Sequence, residues 1–412
     1  MSSGIIERLR AEFPGLSSST VFLDNAGGSQ VPRVVAEAMR AYLLGSYAQL
    51  GGDYPESRRA RETIDGARAD VRTLMNGQGL GEVVLGASTT LLCHMLAGCY
   101  ADALAERPER DELVISTAGH ESDVGCWLKL AKRGFKVKTW SVNATTLRHE
   151  AADLAALVGE RTRLVAFPHV SNLLGDIEDV AGLTRVAQAA GARVMVDGVA
   201  FAPHRAMDVA AWGCDWYVYS TYKVCGPHMA ALFGRHEALA ELTGPNHFFI
   251  DPKAVPYKFE LGGVNHEGCA GLRALAEYLR LVAGETAVAG AALSRVTVER
   301  AFARITEFEV ALQGRLLEYL RGESRVRIIG PAHGAATRVS TISFVWAGRS
   351  SQSIALALNA EGLAVRFGSF YSNRLAEQLG LDPADGVVRA SLVHYNTAAE
   401  VERLIGALRS SG

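Results

Sequence analysis

The chain has little cysteine: six in 412 residues, none arranged as C-x-x-C. That excludes the ordinary structural zinc spacings, so no metal site is expected, and it fits a reducing compartment. No sign of charge dominates either. Forty-two Lys and Arg stand against 44 Asp and Glu, the net charge is −2, and no long basic run occurs. No electrostatic footprint for nucleic acid follows. A membrane-spanning run is also missing. Residues 83–101 carry no formal charge, but they include Gly86, Ser88, Thr89, Thr90, His94 and Gly98. A buried strand, a turn and a buried helix account for them better than a span. The first sixteen residues lack the apolar centre of a secretory signal; with Glu7, Arg8, Arg10 and Glu12 they read as a short amphipathic helix. A cytoplasmic protein is therefore expected, with no membrane partner. Two common motifs are absent, the phosphate loop G-x-x-x-x-G-K-[ST] and the nucleophile elbow G-x-S-x-G. The glycine-rich run from Asn76 to Gly81 precedes a strand instead of following one, so it reads as a turn and not as a nucleotide site. Cys93 and Cys99 are six apart, on different faces of a helix, and read as core residues.

What is present is an alternation. Short apolar runs at 82–85, 112–116, 136–140, 163–167, 193–197, 216–220 and 230–233 are separated by stretches of helical period such as 179–190. This pattern predicts an α/β domain with a mainly parallel sheet covered on both faces. Residues 244–268, rich in Gly, Pro, Asn and His, predict a long functional loop. A helix-rich stretch at 270–322 follows. The last ninety residues read strand (341–345), helix (351–360), strand (363–365), strand (387–393) and helix (399–408), which predicts a second, smaller α+β unit.

Two local patterns point to chemistry. Val194-Met195-Val196-Asp197-Gly198 places an acid at the end of an apolar strand, where such sheets gather ligands. The next strand runs into Ser220-Thr221-Tyr222-Lys223-Val224-Cys225-Gly226-Pro227. Either residue alone reads as a solvated turn acid or a solvated turn lysine. Together they describe the needs of pyridoxal 5'-phosphate: a lysine for a Schiff base and a carboxylate that keeps the pyridine nitrogen protonated. Gly86-Ala87-Ser88-Thr89-Thr90, between a strand and a helix, supplies hydroxyls and N–H groups suited to a phosphate. Ser88, Thr89 and Ser220 can also be read as plain caps.

Further segments extend the pattern: Phe22-Leu23-Asp24-Asn25-Ala26-Gly27-Gly28, Gly119-His120-Glu121 followed by Trp127, Pro168-His169-Val170-Ser171-Asn172, and Arg389-Ala390-Ser391 with Tyr395-Asn396-Thr397. In this order the chain resembles the class V aminotransferase family of fold type I pyridoxal phosphate enzymes, nearest to its cysteine desulfurase/selenocysteine lyase branch. The resemblance implies a large domain with a mainly parallel seven-stranded sheet (15–270) and a smaller α+β C-terminal domain (1–14 and 271–412, with the long connecting helix). It implies a homodimer in which the 244–268 loop reaches the neighbour's site, and an amino acid substrate. Lys223 would carry the cofactor and Asp197 its nitrogen. His120 would stack on its ring, and Asn172 would reach its phenolic oxygen or the substrate. Ser88, Thr89 and Ser220 would hold the phosphate, and Arg389 the substrate α-carboxylate.

The departures bear on the reaction. Where desulfurases carry a cysteine nucleophile, the segment reads Arg366-Phe367-Gly368-Ser369-Phe370-Tyr371-Ser372, and no cysteine follows Cys269. A phenol cannot hold sulfur as a persulfide. Ala200 stands where many relatives carry Gln or His, Gly263 where they carry a threonine, and Tyr222 where a histidine often precedes the lysine. The expected function is a lyase acting at Cα/Cβ by β-elimination, without a persulfide-forming cysteine. Tyr371 then serves as a proton donor to the leaving group or, equally, as a packing aromatic. Transamination, epimerisation and replacement by the same family chemistry remain open, as does a non-catalytic cofactor-binding protein.

Overall fold

The computed structural model describes residues 3–45 and 47–411. In chain order the elements begin with α1 (Ser3–Ala11), β1 (Val21–Phe22), α2 (Arg33–Gly45) and α3 (Pro55–Leu74). The central region follows as β2 (Gly81–Gly86), α4 (Thr89–Asp102), β3 (Glu112–Ser116), α5 (Glu121–Leu128), β4 (Lys136–Trp140), α6 (Ala151–Leu157), β5 (Thr162–Pro168), α7 (Val180–Ala189), β6 (Arg193–Asp197), α8 (Val209–Trp212), β7 (Trp216–Ser220), β8 (Ala230–Arg235) and α9 (His236–Ala240). Two long helices, α10 (His266–Ala283) and α11 (Arg295–Gly322), lead to β9 (Val326–Ile329), β10 (Thr341–Trp346), α12 (Ser351–Ala360), β11 (Leu363–Ala364), β12 (Arg366–Gly368), α13 (Asn373–Gln378), β13 (Val387–Ser391) and α14 (Ala398–Ser411).

The seven apolar runs form one sheet in the order β2-β8-β7-β6-β5-β3-β4. The stretch from β7 to β4 is parallel, while β8 is antiparallel to both β7 and β2. Two reversals leave β2 pointing the same way as β7. The loops after β2, β3, β5, β6 and β7 therefore emerge from one edge. The strands read as unbroken apolar runs because both faces are covered. Val194 and Val196 enter the core on one side of the sheet, with Val165, Phe167, Tyr217 and Tyr219. The intervening Met195 enters the opposite core, with Leu164, Ala166, Trp216 and Val218. This two-residue alternation is the pleat itself.

A four-stranded antiparallel sheet, β12-β13-β10-β9, packs its own core against α11, α12 and α14. The N-terminal segment joins it: β1 pairs in parallel with β11, and Asp24 bridges to Ser391. Residue 270 lies within α10, whose apolar face packs into the large core through Leu272, Leu275 and Leu279. The stretch at 244–268 contains the short 3-10 helix Tyr257–Phe259 and the first turn of α10. Among the described residues, no helix is long and apolar enough to cross a membrane.

Candidate active site

The loops at the shared sheet edge enclose a cavity of about 100 Å³, and the walls include Ser88, Thr89, His120, Asn172, Asp197, Ser220 and Lys223. All seven residues expected to hold a cofactor thus face one space. They follow β2, β3, β5, β6 and β7, at the carboxyl ends where open α/β sheets place ligands.

Asp197 ends β6, 5% exposed, with Oδ1 accepting from the Val199 N–H at 2.9 Å. Gly198 follows because the chain passes against Tyr217; a Cβ there would stand 2.1 Å from that ring. Burial pushes the Asp197 carboxyl upward, opposed by the Val199 N–H and by the Lys223 charge. A second acid lies nearby. Asp123, in the first turn of α5, is 2% exposed and accepts from Trp127 Nε1 at 3.1 Å. Burial and the Asp197 charge push it up to about 8. The Lys223 charge acts on Asp197 and not on Asp123, so of the two acids Asp123 is the one that favours the proton.

Lys223 closes the 3-10 turn after β7. Burial, then Arg389, lowers its ammonium to about 8, while Asp197 and Asp24 pull the other way. The turn is clamped from two sides. Ser29 Oγ donates to Tyr222 O at 3.0 Å and accepts from the Cys225 N–H at 2.8 Å. Thr221 Oγ1 donates to Pro227 O and Met229 O.

Ser88 caps α4, its Oγ accepting from the Leu91 N–H at 3.2 Å. The capping reading of Ser88 therefore holds, while the remaining N–H groups of that first turn have no intrahelical partner. Thr89 Oγ1 and Ser220 Oγ are 2.8 Å apart, and Thr90 pairs with Ser122 at 2.7 Å. Hydroxyls from β2–α4, α5 and β7 thus converge at one helix N-terminus. His120 caps α5 with Nδ1 accepting from the Ser122 N–H at 3.1 Å. Burial first, then Lys223 and Arg389, lower it to about 4, so the ring is neutral with its proton on Nε2.

Asn172 lines the cavity, and its amide also engages the loop after β12: Nδ2 donates to Phe370 O at 2.8 Å and Oδ1 accepts from Ser372 Oγ at 2.7 Å. The reason is geometric. Ser372 also reaches Gly119 O, and the Glu121 N–H donates to Tyr371 O, so the loop is stitched across the mouth of the site. Phe370 and Tyr371 both have positive φ, 51° and 62°, in the sparsely populated left-handed region. Tyr371 is 67% exposed and its ring lies 5.0 Å from that of His120. Arg389, from β13, stands behind this loop, 3% exposed, and donates from Nη2 to Asp24 Oδ1 at 3.0 Å. Burial lowers its guanidinium to about 10, with Asp24 opposing. Tyr371 and Arg389 therefore flank the cavity instead of lining it.

The N-terminal and C-terminal segments interlock. Asn25 Nδ2 donates to Ser391 O at 2.8 Å, Tyr395 Oη donates to Asn25 Oδ1 at 2.5 Å, and Asn396 Nδ2 donates to Phe22 O at 3.0 Å. His169 is a core residue, stacked on Phe201 at 3.6 Å and bonded to the Tyr217 hydroxyl. Three participants escaped the sequence reading: Asp123, Asp24 as the partner of Arg389, and Phe370. Asp123 had a local signal, four residues before Trp127 on one helix face. The Asp24–Arg389 contact spans 365 residues and the Phe370–Asn172 contact 198, and neither left one. Among the described residues no group of three or more His, Cys, Asp or Glu is placed to hold a metal.

The fold and motifs have relatives. The sequence profile of the family Aminotransferase class-V matches residues 21–404. The chain is 38% identical to "Aminotransferase-like protein FGM3" of Gibberella zeae over 99% of its own length and 98% of that protein. It is 30% identical to a "Probable cysteine desulfurase" of Xylella fastidiosa, over 98% of this chain and 94% of that one. Among solved structures, the apo cysteine desulfurase of Thermococcus onnurineus superposes with a TM-score of 0.83 at 26% identity, covering 98% of this chain and 97% of the other.

Proposed function

The chain belongs to the class V aminotransferase family of pyridoxal 5'-phosphate enzymes, and from that premise we propose that it is a lyase acting at Cα/Cβ of an amino acid without a persulfide step. The observation that carries this reading is the pairing of a complete cofactor cavity with a closing loop that offers a phenol and no thiol.

The residues fit the cofactor. A buried acid that accepts the Val199 N–H and has the Lys223 charge in range ends β6, a lysine of lowered pKa closes the turn after β7, and hydroxyls gather at the N-terminus of α4. The buried Nε of Arg389, which has no hydrogen-bond partner, suits a substrate carboxylate. Bound there, pyridoxal phosphate supplies an electron sink for charge developing at Cα. Lys223 takes and returns the Cα proton, and a value near 8 leaves it poised between its two states. Asp197 holds negative charge toward the pyridine nitrogen, and neutral Asp123 keeps a second negative charge from that spot. His120, its Nδ1 already occupied, presents a flat uncharged face. Tyr371 Oη stands ready to give a proton to the leaving group.

Single-turnover mixing with an amino acid panel tests this: release of keto acid together with ammonia is expected. Retention of the amino group by the protein would instead establish transamination, the second reading, which the name of the Gibberella relative favours. The same proposal assigns residues 15–270 to the cofactor-binding domain and 1–14 with 271–412 to the smaller one. It includes a homodimer, supported by exposed Leu43, Leu44, Tyr47, Leu50, Phe248, Phe249 and Leu261. Six free cysteines support a cytoplasmic setting.

A further inference from the structure

Arg366 and Arg389 are direct partners across β12 and β13. Like charges in that position repel, and something must offset them. Asp24 does so, with Oδ1 3.0 Å from Arg389 Nη2 and Oδ2 3.6 Å from Arg366 Nη1. Phe370 lies against both, its centroid 3.6 Å from the Arg389 guanidinium carbon and 5.5 Å from that of Arg366. The two arginines are unequal: the Arg389 side chain is 3% exposed and that of Arg366 55%. Arg389 Nη1 reaches Asn172 O at 3.4 Å, while its Nε is buried with no hydrogen-bond partner. The Nε–Nη2 edge, the one that binds a carboxylate with two parallel bonds, is thus half used. The arginine pair and Asp24 together carry two positive charges and one negative. One further carboxylate balances the pair, and a second finds no free arginine there.

We propose that Asp24 is a displaceable stand-in for the substrate carboxylate, which yields the Nε–Nη2 edge of Arg389 on binding, shifts onto Arg366, and thereby restricts the site to amino acids with a single carboxylate. The inference rests on the reading of Arg389 as the carboxylate anchor and adds how that anchor is kept and what it selects. In the empty site Asp24 offsets a buried guanidinium that would otherwise lack a counter-ion. In the filled site it occupies Arg366, so a side-chain carboxylate meets no free arginine of the pair. Arg366 is then a positioning residue: it receives Asp24 and does not touch the substrate.

The test is titration calorimetry of the full chain as purified, with propionate and succinate. Neither probe carries an amine, so binding is read apart from any reaction. Asp24→Asn should bind propionate about tenfold tighter than wild type, and succinate should gain more than propionate, because a second arginine is released. Arg366→Gln should weaken propionate several-fold, since Asp24 then has no other partner, and Asp24→Asn/Arg366→Gln should return to the tight value for propionate without the extra gain for succinate. Unchanged or weaker propionate binding in Asp24→Asn, with Arg366→Gln also unchanged, overturns the displacement. If Arg389→Lys leaves propionate binding unaltered, the anchor itself is misassigned, and the inference falls with it.

Discussion

The two halves of the candidate site are built differently. The cavity at the edge of the large sheet is made of residues that directly end or follow strands: Asp197, Ser220, Lys223, Ser88, His120. Ser88, His120 and Asp197 are each fixed by a backbone N–H two or three residues on, and Ser220 pairs with Thr89. Beside the cavity, reaching Asn172 and His120, lies the loop that follows β12. Its backbone holds two consecutive non-glycine residues at positive φ, and its contacts with the loops of the seven-stranded sheet run through Asn172, Gly119 and Glu121. Side chains on rigid strand ends suit the steps that every substrate shares. A strained loop, held by a few hydrogen bonds, suits the discrimination among substrates and leaving groups.

The comparison breaks first at Lys223. Lys223→Ala should lose turnover by about 10⁴-fold or more, because both the attachment point and the proton carrier disappear. Borohydride reduction of the wild type followed by peptide mapping should mark the Lys223 peptide; a mark on another lysine would refute the assignment. Asp197→Asn comes next. A neutral amide cannot hold the nitrogen's charge, and a loss of about 10²–10³-fold in kcat is expected, the scale of one preorganised electrostatic contact. Near-normal turnover would remove Asp197 from that role.

The loop side is sharpened by Tyr371→Phe. If the phenol donates a proton, kcat should fall by about 10²-fold with KM little changed. An unaltered kcat would leave Tyr371 as an aromatic packed near His120. Asp123→Asn should act on stability. Its carboxyl is raised in the folded protein, to about 8 against an ordinary value of 3.8, so the native state binds a proton that the unfolded chain has released. That contribution is fully present below about pH 4 and is lost as the pH rises toward 8. The variant, having no proton to lose, should show a flatter decline in Tm across that window. Thermal unfolding at pH 5, 7 and 9 decides it; parallel curves for both proteins would mean that Asp123 is ionised throughout.

Much of this was legible in the sequence, for physical reasons. Strands buried on both faces must be apolar throughout, so all seven strands of the large sheet were placed to within two residues at each end. The strand-end residues were legible because their function requires a residue type at a fixed distance from a strand. The edge strand β12 was not, since three residues of Arg366-Phe367-Gly368 carry no usable period. Asn172 lines the cavity, and its amide is also shared with residues about two hundred positions away. Nothing local encodes such a contact. Nor did Phe370 and Tyr371 announce a left-handed backbone, which glycine or asparagine would have signalled.

The smallest effect is expected at Cys225, and it bears directly on the reaction. Cys225 is the cysteine nearest to Lys223 in sequence, so it is the natural substitute for a missing sulfur acceptor. Its surroundings argue against that role. The residue is 6% exposed, burial pushes its thiol up to about 12, and it sits at φ 58° in a turn whose N–H is tied to Ser29. A sulfur acceptor needs the thiolate, access and freedom to move away with its cargo. At neutral pH this thiol is protonated, enclosed and held. The other five cysteines are also buried. Cys225→Ser should therefore leave turnover within about twofold of wild type, with only a modest loss of stability from a hydroxyl in an apolar setting. Incubation of the wild type with cysteine, followed by mass spectrometry, should show no added sulfur on any of the six. A persulfide on Cys225 that vanishes together with activity in Cys225→Ser would reverse the assignment: the turn would have to open during turnover, and the protein would be a desulfurase whose nucleophile lies beside the lysine instead of on the loop.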